Sequence, residues 1–189
     1  MSAVGFLQQF MKEPRTVGAV LPSSKYLAQE MIASIDFSKA KCIVEYGPGT
    51  GVFTKRLIES KHSETILLIL ETNAAFCWEL KQTYGHIPNV YIINDSAEHV
   101  SYYVRQHGFA KADYVISGLP FTSLPADVST RILEETEKTL SEQGAFMTFQ
   151  YSKVKSIFFK SFFEQIKVKR VWQNVPPAYV FTCKKGLNI

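Results

Sequence analysis

CIVEYGPGTG, residues 42–51, decides the fold. Its first half is a short apolar run of strand character, and its second half places glycine at alternate positions, Gly47, Gly49 and Gly51. The amphipathic run Phe53, Leu57, Ile58 follows directly, so the order is strand, glycine-rich turn, helix. Glycine permits positive φ and lets a ligand approach the backbone, while the first turn of the helix offers unpaired N–H groups. A β–α turn that binds nothing is the alternative, but three alternating glycines are more than such a turn needs.

Two ligand classes compete for this loop. Dinucleotide folds use G-x-G-x-x-G and seat a pyrophosphate at the helix N-terminus. Here the spacing is G-x-G-x-G, and Glu45 stands just before it. A carboxylate at that point repels a pyrophosphate and attracts a cation. S-adenosylmethionine, which carries a sulfonium and an ammonium, fits the charge pattern better.

Glu71 lies 20 residues beyond Gly51, with Thr72 beside it, at the end of the next strand-like run. An acidic side chain there accepts hydrogen bonds from ribose hydroxyls; the alternative is a helix N-terminal charge ahead of Asn73. Asp95 and Ser96 close a third strand, where Asp95 either accepts from an adenine amine or caps the helix that begins near Ala97.

The same alternation continues outward, which predicts a parallel α/β sheet with helices on both faces. Strands are expected at 42–46, 65–71, 90–94, 114–117 and 145–150. Between them Phe76, Leu80 and Tyr84 share one helical face, as do Ala97, Val100 and Val104, and then Val128, Ile132, Thr136 and Leu140. Runs at 168–172 and 179–183 are joined too closely for a helical crossover, so the sheet ends in an antiparallel hairpin. Ahead of the first strand, Phe6, Leu7, Phe10 and Met11 form one face of a short helix stopped near Pro14. Ser23 or Ser24 then caps a second helix with Leu27, Met31 and Ile35 inward.

With 189 residues and 46% hydrophobic content, the chain suits one domain, with 1–38 as a helical substrate or lid segment and 39–189 as the cofactor-binding core. A net charge of +4 mildly favours anionic partners such as nucleic acid or phospholipid. The longest aliphatic run, Ile66 to Leu70, is far short of a membrane span, and the N-terminus lacks signal-peptide character, so a cytoplasmic location is expected. Cys42, Cys77 and Cys183 are too widely spaced for a disulfide framework, and the four histidines have no metal-ligand spacing; no metal is expected.

These motifs together resemble a class I S-adenosylmethionine-dependent methyltransferase over nearly the whole chain. The resemblance implies a Rossmann-like, seven-stranded, mostly parallel sheet with its last strand antiparallel. It also implies that Gly47, Gly49 and Gly51 hold the methionine part of the cofactor with Glu45 supplying charge, that Glu71 binds ribose, and that Asp95 with Ser96 meets the adenine.

The acceptor is read from SGLPF, residues 117–121, at the end of the fourth strand. Adenine N6-methyltransferases that dimethylate ribosomal RNA carry Asn-Leu/Ile-Pro-Tyr/Phe at this point, and here Gly118 stands where that Asn belongs. SGLPF, the stretch FLQQFMKEPRTVGAVLPSSKYLAQEM and the motif NVPPAYVF are instead similar to bacterial phospholipid N-methyltransferases. That resemblance implies a lipid-headgroup amine of the phosphatidylethanolamine kind, with the Gly118 carbonyl or the Ser117 hydroxyl facing the amine and Pro120 and Phe121 shaping the passage. RNA is the alternative substrate. A non-catalytic cofactor-binding or membrane-associated protein is a further alternative.

Displacement at a sulfonium is accelerated by alignment and desolvation, so the site need not display a strong base. Tyr26, Tyr46 and Tyr179 are the candidates for one. In the segment 153–170 the apolar residues cover roughly 240° of a helical wheel, wider than a sheet-covering stripe. This leaves open packing on the sheet or exposure of Phe159 and Phe163 to a lipid surface, with Lys153, Lys155, Lys160, Lys167, Lys169 and Arg170 around them. The Phe6–Met11 stripe carries the same two possibilities.

Overall fold

Strands that run parallel need a crossover between them, and the chain supplies a helix for each. The computed structural model describes residues 24–152 and 156–186. One sheet contains β1 Cys42–Tyr46, β2 Ile66–Leu70, β3 Val90–Ile93, β4 Ala112–Ser117, β5 Leu140–Gln150, β6 Gln165–Val171 and β7 Ala178–Lys184. The helices are α1 Lys25–Ile32, α2 Val52–Ser60, α3 Ala74–Tyr84, α4 Val100–Gln106, α5 Ala126–Thr139 and α6 Ser156–Lys160, with a 3-10 turn at Ala97–His99.

Across the sheet the order is β3-β2-β1-β4-β5-β7-β6. The first five strands run parallel, and β7 is antiparallel to both of its neighbours, as expected from the short 171–178 connection. Chain order proceeds outward from β1 through β2 and β3, then resumes at β4 on the other side. The carboxyl ends of β1 and β4 therefore flank the switch point where open α/β sheets take ligands.

Every residue of β1 is buried because both faces of the sheet are covered. Cys42, Val44 and Tyr46 enter the core beneath α4, α5 and α6, with Val104, Ile132, Phe146, Phe159 and Phe181. Ile43 enters the core beneath α1, α2 and α3, with Leu27, Met31, Leu57, Leu67 and Leu80. Alternation thus places Glu45, one residue before Tyr46, on the α1–α3 side. Local caps agree with the pattern: the Ser24 hydroxyl accepts from Leu27 N at 3.2 Å, and Asn73 accepts from Ala75 N and Phe76 N. Each such cap contributes about 1 kcal/mol.

The 153–170 segment differs from a single amphipathic helix. Its helical part is the five-residue α6, and the chain then extends as the edge strand β6. Ile166, Lys167, Val168 and Lys169 alternate with period two and pair with β7, a ladder that a continued helix would forgo. Phe159 and Phe163 do not project outward; both are buried, and the Phe163 ring stacks on Phe146 at 5.5 Å. Ile157 is the apolar α6 side chain left exposed. The Phe6–Met11 stripe, Ser23, Lys153 and Lys155 lie outside the described residues. Among the described residues no helix is long and apolar enough to cross a membrane.

Candidate active site

The glycine loop begins where β1 ends. Gly47 N donates to Leu70 O at 2.9 Å, and Gly47, Gly49 and Gly51 all have positive φ, at 56°, 54° and 80°. A side chain at Gly47 would be strained by that conformation, and its Cβ would sit 2.7 Å from Leu119 Cδ2. The loop is therefore bare backbone on the side facing the β4 turn.

Glu45 lies beneath it, fully buried. Its Oε2 accepts from the Thr54 hydroxyl of α2 at 2.7 Å, whereas Oε1 has no hydrogen-bond partner among the described residues. Burial pushes the carboxyl up to about 8; the Thr54 hydrogen bond opposes this and the nearby Glu71 charge adds to it. A buried carboxylate oxygen without a donor is costly. A cationic ligand group reaching Oε1 would satisfy it and hold Glu45 ionised, so this chain's own atoms fit an ammonium at the loop.

Glu71 follows β2 and is also buried. Its Oε2 accepts from Gly49 N at 3.2 Å and its Oε1 from Asn73 N at 2.8 Å, so it ties the glycine loop to the start of α3. Burial raises its pKa against the pull of these backbone donors. Thr72 beside it is half-buried. Asn94 Nδ2 donates to Glu71 O at 2.7 Å and joins the ends of β2 and β3.

At the end of β3 the capping is done by Ser96, whose hydroxyl accepts from Glu98 N at 3.2 Å. Asp95 is not the cap. Its carboxylate instead accepts from Ser96 N at 2.7 Å and the Tyr103 hydroxyl at 2.8 Å, and lies 3.0 Å from His99 Nδ1. Partial burial raises its pKa, but these partners outweigh burial and hold it below the usual carboxylate range. The same hydrogen bond pushes Tyr103 up to about 12. Asp95 is thus a fixed, ionised acceptor.

The SGLPF turn closes on the loop from the β4 side. Gly118 N donates to Tyr46 O at 2.8 Å, and a Cβ on Gly118 would lie 2.5 Å from Gly47 O. No side chain, Asn included, fits there without moving the glycine loop. The Ser117 hydroxyl is buried and accepts from Leu119 N at 3.2 Å. Phe121 is fully buried, edge-on to Phe146 and Phe159, so it anchors the turn from below and does not line a passage. Pro120 and Gly118 are half-buried. The Leu119 carbonyl accepts from Phe121 N and from Gln150 Nε2, and that of Pro120 from Ser123 N and Leu124 N. The Gly118 carbonyl is not an acceptor in any of these turn hydrogen bonds.

Comparison with known proteins follows the same lines. No family model matches the chain. It is 26% identical over 184 residues to an ornithine lipid N-methyltransferase of Singulisphaera acidiphila, covering 95% of this chain and 94% of that protein. A ribosomal RNA small subunit methyltransferase A of Nostoc punctiforme is 28% identical over 119 residues, 61% of this chain and 39% of that protein. Its fold matches a SAM-dependent O-methyltransferase of Thermotoga maritima with a TM-score of 0.66 at 14% identity, over 95% of this chain and 72% of that one. The chain is a class I S-adenosylmethionine-dependent methyltransferase.

In this methyltransferase, the ends of β1, β2, β3 and β4 bring Glu45, Glu71, Asp95 and Gly118 to one rim of the sheet. Sequence reasoning missed the residues that hold them: Thr54 on Glu45, Tyr103 and His99 on Asp95, and the buried Gln150 on the turn. Gln150 was signalled by a polar residue ending an apolar strand, and Tyr103 by its place two helical turns after Asp95. Tyr46 is no base: its hydroxyl is buried, lies 3.2 Å from Thr136 Oγ1, and burial raises its pKa. Among the described residues no cluster of three or more His, Cys, Asp or Glu is placed to hold a metal. An open groove of about 450 Å³ lined by Asp36, Lys39, Asp113 and Lys184 lies at the opposite end of the strands and is remote from this rim.

Proposed function

We propose that the methyltransferase acts on the terminal amine of a lipid headgroup, of the phosphatidylethanolamine or ornithine-lipid kind. The observation that carries this reading is the end-to-end likeness to the ornithine lipid enzyme, against a partial likeness to the rRNA enzyme. Residues 39–189 act as the cofactor-binding core and 1–38 as the substrate-side segment.

The bound cofactor supplies an electrophilic methyl group on its sulfonium. Glu45 Oε1 takes the ammonium of its methionine part, the backbone of Gly47, Gly49 and Gly51 lies against that part, Glu71 accepts from the ribose hydroxyls, and Asp95 with Ser96 meets the adenine. The Gly118 carbonyl accepts one N–H of the acceptor amine and orients its lone pair, so the acceleration comes from alignment and exclusion of water. Because the turn is locked by Ser117, Gln150 and Phe121, that carbonyl is pre-positioned. An ammonium headgroup sheds its proton to bulk water before it reaches the turn, and the free amine is what attacks.

The test is a panel with labelled S-adenosylmethionine: phosphatidylethanolamine vesicles, ornithine-lipid vesicles, spermidine and small-subunit rRNA. Label in an amine lipid is expected; label only in rRNA or spermidine overturns the reading. RNA is retained as a second reading because of the partial rRNA-enzyme match, and label in rRNA at low salt is its signature. Cofactor binding with no label in any member would indicate a non-catalytic binding protein.

A further inference from the structure

The loop between β6 and β7 reads WQNVPP, residues 172–177, and carries no charge. Trp172 is 65% exposed and Val175 67% exposed, an expensive pairing for a loop that water alone would cover. The loop is also held firmly. Asn174 is buried, accepts from Ser24 N at 3.0 Å and donates to Pro176 O at 2.7 Å, so the tip is braced against the start of α1.

Cations collar this tip. The Arg170 guanidinium lies 3.6 Å from the centre of the Trp172 ring and 5.3 Å from that of Tyr179, and no carboxylate pairs with it among the described residues. Lys169 reaches Glu30 of α1 at 2.6 Å, and Lys25 lies 5.3 Å over the ring of Tyr26, itself 47% exposed. The arrangement is an apolar, uncharged point with an indole at its base, the Arg170 and Lys25 charges beside it and Lys169 paired to Glu30. Indole is suited to the boundary between headgroups and acyl chains, and the collar to anionic phosphates.

We propose that this tip inserts into the headgroup layer of an anionic phospholipid bilayer and docks the methyltransferase there. The proposal rests on the lipid-acceptor reading and adds the surface that meets the lipid. The register pairs Gln150 of β5 with Tyr179 of β7, and Tyr179 with Arg170 of β6, so the tip lies on the same rim as the acceptor turn. Two to three strand spacings separate it from β4, roughly 10–15 Å. A bilayer seated on Trp172 and Val175 thus presents headgroups to the Gly118 carbonyl. Nucleic acid would use the arginine and indole by stacking, but it gives Val175 and Pro176 nothing to contact.

The chain has two tryptophans, so Trp78→Phe leaves Trp172 as the single reporter. With vesicles of phosphatidylethanolamine and phosphatidylglycerol at 3:1, Trp172 emission is expected to shift blue and to be quenched by brominated lipid, and far less so with phosphatidylcholine alone. Trp172→Ala combined with Val175→Ser is expected to weaken vesicle partitioning at least ten-fold. The same variant should keep its affinity for S-adenosylhomocysteine and its rate on monomeric short-chain phosphatidylethanolamine, which shows that it is folded. Absence of quenching, or unchanged partitioning of the double variant, overturns the proposal. Quenching by an rRNA fragment but not by vesicles also overturns it, in favour of nucleic acid. Normal lipid methylation with no Trp172 insertion would sink the docking surface alone; insertion with label only in rRNA or spermidine would sink the acceptor reading alone.

Discussion

A carboxyl buried on the central strand of a sheet is poorly placed unless a cation meets it, and Glu45 has one oxygen waiting. Glu45→Gln keeps the shape and the Thr54 contact while removing the charge. Affinity for S-adenosylhomocysteine is expected to fall roughly 10- to 100-fold, in line with a lost charged hydrogen bond. Calorimetry at pH 8 checks it, and unchanged affinity would move the ligand ammonium elsewhere. Gly118 makes the complementary case. Its Cβ position falls 2.5 Å from the Gly47 carbonyl, a backbone atom that cannot turn aside. Gly118→Ala is therefore expected to cost about 1–3 kcal/mol of stability and to weaken cofactor binding by moving the loop. A thermal melt and a binding isotherm test both. Gly118→Asn carries the same clash and cannot report on acceptor choice by itself, so glycine in place of Asn has a packing cause as well as a possible chemical one.

Elements rich in one periodicity were readable from sequence, and elements where two periodicities overlap were not. The glycine loop, the five parallel strands and the closing hairpin follow from alternation and spacing, and the cores on the two faces follow from where Val44 and Ile43 point. The 153–170 segment defeated the same reasoning. Its phenylalanines fit a helical wheel, yet the β7 edge offers Ile166 to Val171 a complete ladder, and tertiary pairing outweighed local pattern. Asp95 and Ser96 are both good caps, and which of them caps depends on Tyr103 and His99 reaching back from the following turns. Asn174 shows a link that no spacing reveals, because it joins residues 150 apart. Asn174→Ala leaves Ser24 N and the Pro176 carbonyl without their partner. It is expected to lower stability by about 1–3 kcal/mol in denaturant unfolding, and a change within experimental error would show that the tip is not braced through this residue.

At the scale of the whole molecule, buried carboxyls on the cofactor rim set how stability depends on pH. The Glu45 carboxyl titrates near 4.5 when unfolded and is pushed up to about 8 by burial when folded; Glu71 is raised as well. Between those values the folded state keeps a proton that the unfolded chain has already lost, so raising pH penalises the fold. The slope for one such group is at most about 1.4 kcal/mol per pH unit. Asp95, Asp127 and Glu135 are lowered instead, so their stabilisation is complete above the ordinary carboxylate range and is lost only as pH falls below it. The ligand-free protein is thus expected to lose stability steadily from about pH 5 to pH 8, and Glu45→Gln to flatten much of that decline. A ligand ammonium at Oε1 favours the ionised form, so stabilisation by saturating S-adenosylhomocysteine should grow across the same window and its binding should release protons near pH 7. Melts at several pH values, with calorimetry in two buffers of different ionisation enthalpy, measure both. Equal slopes for the wild type and Glu45→Gln, with no proton release, would mean that Glu45 is already ionised before the cofactor arrives and that the rim is solvated more deeply than its burial indicates.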